Sequence, residues 1–230
     1  MKKFRHHYYN SLLKEADSKG GFVDEIFLLR SYLRELPEFF KDLHVIDFDV
    51  SDNELISCKN FPKFVERSIS IRANKIKSLE GIPNIPTYKL NLSHNELTSL
   101  EYLSKFAGSK CELIISSFTQ LTSCKGLENI TCDKLYIYDN KISSWEYFPS
   151  SIRLLNISSN KLTSWRGMPE GLDKLSLFEN WDVVDFDDFK EVRVDLSFTS
   201  ARWNTSVVAE DYMRSKGIIP PYNVYVYRPE

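Results

Sequence analysis

The sequence predicts an α/β repeat fold: a solenoid with a concave parallel β-sheet, an N-terminal helical cap, and a short helix and strand closing the C-terminal end. The first observation behind this is a recurring apolar-x-apolar-x-x-Asn-x-apolar pattern, with its Asn column at Asn53, Asn74, Asn95, Thr119, Asn140, Asn160, Asn180 and Thr199. The second is its regularity, since successive spacings are 21, 21, 24, 21, 20, 20 and 19 residues, a period that marks a stacked repeat architecture. The third is that the flanks lack the pattern and carry helix and strand signals instead.

Residues 1–43 form the predicted N-terminal cap. In VDEIFLLRSYLREL (residues 23–36), Ile26, Leu29, Leu33 and Leu36 recur at near-helical spacing and stop before Pro37, which predicts a helix. A further helix is expected before Gly20-Gly21, using Leu12, Leu13 and Ala16.

Residues 44–203 carry eight repeats. Five positions before the Asn column stand Phe48, Ile69, Leu90, Ile114, Leu135, Leu155, Leu175 and Val194, and three before it Val50, Ile71, Leu92, Ser116, Ile137, Ile157, Leu177 and Leu196. Alternate residues of a strand share a face, so each repeat offers an apolar strand face that it cannot bury alone. Stacked repeats share one core and form a parallel sheet on the concave side. Eight strands ~4.8 Å apart give a sheet roughly 34 Å long. Past each strand the chain turns inside the solenoid and strands backbone groups away from water, at about 1–3 kcal/mol for each unpaired group. An inward Asn carries donors and acceptors for such a turn. Thr119 and Thr199 offer fewer, so those two turns are expected to differ.

Residues 204–230 form the C-terminal cap. Asn204-Thr205-Ser206 is an N-cap signal for a helix over Val207 to Ser215, Gly217 is its stop, and the period-two alternation of YNVYVY after Pro220-Pro221 predicts a final strand. That strand either covers the last repeat or offers an aromatic tail to a partner.

The LxxLxLxxNxL spacing over residues 44–203 resembles the leucine-rich repeat family. SLEGIP (78–83), SWEYFPSSI (144–152) and SWRGMPEGL (164–172) are similar to the short, proline-containing repeats of bacterial secreted effectors and related phage proteins. The resemblance implies binding of a protein partner across the concave sheet, as an effector or host-interaction protein. Some of those effectors continue into a ubiquitin-ligase domain with a catalytic cysteine. Here about 27 residues follow the last repeat and none is cysteine, so the resemblance implies recognition without that activity, with a recognition subunit of an enzyme complex as one alternative.

With 42% hydrophobic and 27% charged residues in 230, the chain has the balance of one globular core, and its longest apolar runs fall far short of the ~20 residues of a membrane span. MKKFRHHYYNSLLKEADSKGG lacks the apolar core of a secretory signal, so a cytoplasmic protein is expected. A net charge of −2 gives no general attraction for nucleic acid. Cys58 and Cys124, five positions after the Asn column, and Cys111 and Cys132, eight before it, stand where other repeats carry apolar residues. They read as small core hydrophobes. Cys111 and Cys132 are expected to be neighbours, in a compartment that disfavours a disulfide. Trp145 and Trp165 share the column of Cys58 and read as core fillers.

No catalytic residue, cofactor or metal site is expected: there is no HExxH, no nucleophile elbow and no phosphate loop. His94 has no nameable catalytic partner. The acidic run Asp182, Asp185, Asp187, Asp188 lacks the glycine and terminal glutamate of a calcium loop. The Asn-x-Ser/Thr patterns at Asn91, Asn129, Asn156 and Asn204 read as by-products of the repeat.

The candidate site lies on the outward strand face. Two positions before the Asn column, serines alternate with Tyr138 and Phe178, and Ser158 between them is too small to cover the rings. Tyr136, Phe118, Phe198 and Trp181 fall nearby, edged by Lys134, Lys141, Lys161, Lys174 and Arg193. Exposed rings with basic neighbours have the composition of an interface hot spot. The expected ligand is a protein bound by a monomer; glycan or nucleic acid stacked on the same rings is the alternative.

Overall fold

A computed structural model describes residues 2–82, 88–105, 111–117, 120–180, 188–189, 191–199, 206–221 and 223–227. Helix α1 (Lys2–Ser18) is followed by strands β1 (Phe22–Phe27), β2 (His44–Asp49), β3 (Phe64–Ser70), β4 (Lys89–Asn91) and β5 (Glu112–Ile114). Next come β6 (Lys134–Tyr136), β7 (Leu154–Asn156), β8 (Leu172–Leu177), β9 (Val192–Thr199), helix α2 (Ser206–Ser215) and β10 (Asn223–Tyr227). All ten strands form one parallel sheet in chain order. The chain is a parallel-strand solenoid, and no helix among the described residues is long and apolar enough to cross a membrane.

The repeat is built as its spacing predicts. On β7, Leu155 and Ile157 point into the core at 1% and 0% exposure while Leu154 and Asn156 stay half-buried. Between strand and Asn column the chain turns on one residue in the left-handed region: Arg30, Asp52, Ala73, His94, Ser117, Asp139, Ser159 and Glu179, with φ between 49° and 57°. The asparagine then satisfies the turn. Asn160 Nδ2 donates to the carbonyls of Ile137 (2.9 Å), Ile157 (3.0 Å) and Ser158 (3.1 Å), and its Oδ1 accepts the Ile142 N–H at 2.9 Å. Asn53, Asn74, Asn95 and Asn180 repeat this pattern, each tied to its own turn and to the preceding repeat.

Three expectations are corrected. Residues 23–36 are not a helix. Phe22–Phe27 is a strand paired with β2, and Ile26, Leu28, Leu33 and Leu36 are buried while Leu29 is 49% exposed. This is an earlier repeat with Ser31 in the Asn position, and apolar residues at 26, 33 and 36 fit both periods. In β5 the inward residues are Leu113 and Ile115, both fully buried, rather than Ile114 and Ser116. One extra residue follows, since Leu121 comes six after Ile115 where Leu97 comes five after Leu92. In β9 Leu196 pairs with Leu175 and Phe198 with Leu177, so the frame lies two residues later than Val194 and Leu196 imply. Val194 is 36% exposed.

The expected helix before Gly20-Gly21 is present as α1 and lies against β1. Leu12 and Ala16 are buried, and Tyr8 Oη accepts the Phe27 N–H at 3.3 Å. The chain turns out of α1 through Gly20 and Gly21, both at positive φ. Helix α2 ends as expected at Gly217 (φ 74°), with the Ile218 N–H reaching the Met213 carbonyl at 2.9 Å. YNVYVY supplies β10, paired with β9.

Candidate functional site

Three outward columns of side chains cross the strands. The middle one is fixed by the pairing register: Asp49, Ser70, Asn91, Ile114, Tyr136, Asn156, Ser176, Ser197 and Tyr225 run from β2 to β10.

At the first strands the face is charged but compensated. Buried Asp47 is held by Arg67 and by the Ser68 hydroxyl at 2.6 Å. Burial pushes its carboxyl pKa up, but the Arg67 and Ser68 bonds outweigh this and leave it below the ordinary value. Asp52 lies 3.7 Å from Arg30 and 3.5 Å from Arg72, and Glu54 3.2 Å from Arg34. The carboxylates of Asp52 and Glu54 are thus partly neutralised by arginines. His94 sits at a left-handed turn position, where burial and then Arg72 push its pKa down more than Asp139 and Asp52 raise it. Among the described residues no His, Cys, Asp or Glu group is arranged to hold a metal.

The aromatic region spans β6 to β10. Tyr136 at the end of β6, Tyr138 just beyond it, and Phe178 just beyond β8, two strands on, are half-buried. Ser158 lies between the latter two but is only 9% exposed, and its hydroxyl is shared with Ser176 Oγ (3.1 Å) and accepts the Phe178 N–H (3.1 Å). The opening predicted at Ser158 lies one column over. There a depression of about 250 Å³ runs between Tyr136 and Tyr225 over Asn156, Ser176 and Ser197, with Leu154, Lys174 and Asp195 along one side.

Phe198, expected outward, is corrected. It is 1% exposed and meets Trp165 edge-on at 6.4 Å between centroids, because the two-residue shift of β9 places it in the column of Leu177. Phe118 and Trp181 lie outside the described residues. Lys141 and Lys161 are exposed beside the turns, with Lys141 Nζ bonded to Gln120 Oε1. Lys174 is paired with Asp195 at 2.6 Å, and Asn223 Nδ2 donates to the same carboxylate at 2.7 Å, which holds its pKa down.

Tyr225, 46% exposed, is the residue that sequence reasoning missed. Its signal was the alternation of YNVYVY read as one more repeat strand, which puts Tyr225 in register with Ser197.

The cysteines are core residues, all buried and none in a disulfide. Burial pushes the Cys58 thiol up to about 12 and Cys124 higher still. Cys111 and Cys132 are neighbours, with Cys132 Sγ 3.6 Å from the Cys111 carbonyl oxygen. A hydrogen bond between the two thiols lowers the pKa of Cys111 and raises that of Cys132.

Fold and site together define a repeat protein with a side-chain-lined sheet face. No protein-family model matches the chain, and no curated protein matches it in sequence.

Proposed function

We propose that the chain is a leucine-rich-repeat recognition module, closed at its first end by α1, that binds a protein partner on the concave sheet face and performs no catalysis of its own, as an effector or host-interaction protein would. One observation carries the reading: Tyr136, Tyr138, Phe178 and Tyr225 all lie outward between β6 and β10, on a face where serine, asparagine and paired charges predominate, with Ile114 and Leu154 among them. Aromatic side chains bring large contact area at low entropic cost, which is why they dominate interface hot spots. A sheet of ten strands has room for the ~800 Å² per partner of an ordinary stable interface.

The test is affinity capture with the full chain and with Tyr138→Ala/Phe178→Ala. Both side chains are outward, so the double variant retains its fold by circular dichroism and loses most of the captured partner. Equal capture by a folded double variant overturns the assignment to this face.

A further inference from the structure

We propose that the depression between Tyr136 and Tyr225 takes a proline-rich segment of the partner in the polyproline II conformation. The proposal rests on the protein-binding reading of the concave face and names the chemistry of what binds there.

Spacing is the first ground. Tyr136 on β6 and Tyr225 on β10 occupy one column four strands apart, about 19 Å at ~4.8 Å per strand. Two turns of polyproline II, six residues at ~3.1 Å, cover about the same length. A seven-residue segment thus sets one proline ring, at its first and its last position, against each tyrosine. A β-strand would seek a sheet edge and its backbone groups, which this face does not present.

Hydrogen-bonding sense is the second ground. Two of the groove's acceptor groups are engaged: Asn156 Oδ1 accepts the Ser158 N–H at 3.1 Å, and the Asp195 oxygens take Lys174 and Asn223. Donors remain. Among the described residues no partner takes the Asn156 Nδ2 hydrogens or the Ser197 hydroxyl. Such a floor suits a ligand with carbonyls and no N–H. A proline run is that ligand, since it lacks N–H groups and makes no internal hydrogen bonds.

Charge is the third. The Lys174–Asp195 pair cancels, and the floor of Asn156, Ser176 and Ser197 is neutral, so an uncharged segment enters without electrostatic cost.

The test is fluorescence anisotropy of the full chain against labelled, end-blocked octaproline, a Gly/Ser peptide of equal length, and cellohexaose. Octaproline is expected to bind measurably and the Gly/Ser peptide not. Tyr136→Ala and Tyr225→Ala each weaken binding by about tenfold, the loss of one ring contact, while Tyr147→Ala, outside the groove, leaves it unchanged. Ser197→Arg, which fills the groove and leaves both tyrosines in the chain, abolishes binding and keeps the proposal testable if a tyrosine variant unfolds. Octaproline binding no tighter than Gly/Ser, or unaffected by Ser197→Arg, overturns the inference, as does binding of cellohexaose in its place. If octaproline fails while Tyr138→Ala/Phe178→Ala still loses the captured partner, the recognition reading stands and only the polyproline assignment falls.

Discussion

Asn160 and Ile142 belong to adjacent repeats and are joined by a 2.9 Å hydrogen bond from the Ile142 N–H to Asn160 Oδ1, inside a core where Asn160 is 1% exposed. The same side chain donates to three carbonyls, one of them on the preceding repeat. Buried Asn140 differs. It donates to the carbonyls of Ile115, Ile137 and Tyr138, but its Oδ1 is buried without a donor. Asn160→Ala is therefore expected to cost about 3–5 kcal/mol, several buried backbone groups losing partners at ~1–3 each. Asn140→Ala should cost about 1 kcal/mol less. Urea unfolding of the two variants checks this, and equal losses would contradict it.

Asp47 gives the chain an acid-sensitive contact. Its folded pKa lies below the unfolded value of about 3.9, so its stabilisation is present above that value and is lost as pH falls through the lower folded pKa. At neutral pH Asp47→Asn is expected to lower stability by about 1–2 kcal/mol, the range for a hydrogen bond to a charged group. The gap between variant and wild type should narrow as the pH falls below the unfolded value of about 3.9. Urea midpoints across that range are the measurement, and a gap that widens toward acid would be inconsistent with the Arg67 contact.

Gly126 sits at φ 105°, and a Cβ built there would lie 2.9 Å from the Glu101 nitrogen and closer still to the Leu100 carbonyl. Backbone of the preceding repeat occupies the space a side chain needs. Gly126→Ala should destabilise by roughly 2–4 kcal/mol, clash and left-handed strain together. Gly217→Ala, with nothing near its Cβ at φ 74°, should cost only about 1 kcal/mol. Thermal unfolding of the pair separates strain from clash.

Cys58 and Cys124 should be silent toward iodoacetamide in the folded chain, because burial suppresses both thiolate and access. All four cysteines should label in urea. Mass spectrometry of timed reactions reads this directly, and alkylation of Cys58 within minutes under native conditions would show that its repeat opens.

The repeats with asparagine were legible because a buried amide at one fixed phase has no other use. The losses have physical causes. Ser31 removed the marker from the repeat of β1, whose leucines also fit a helical period. In β9, Val194, Leu196 and Phe198 alternate, so a slip of two residues keeps apolar groups on one face, and only the observed pairing with Leu175 and Leu177 fixes the frame. The aromatic strip was legible on β6 to β8, where the asparagine ruler held. Tyr225 was not, because its place depends on β10 joining the same sheet.

The most direct test of recognition by this strip is site-specific photo-crosslinking with p-benzoylphenylalanine placed at Tyr136, or at exposed Tyr147 on the return segment of the same repeat. Irradiation of the captured complex is expected to join the partner to the chain from position 136 and not from 147. Crosslinking from position 147 alone would contradict a partner seated on the concave sheet.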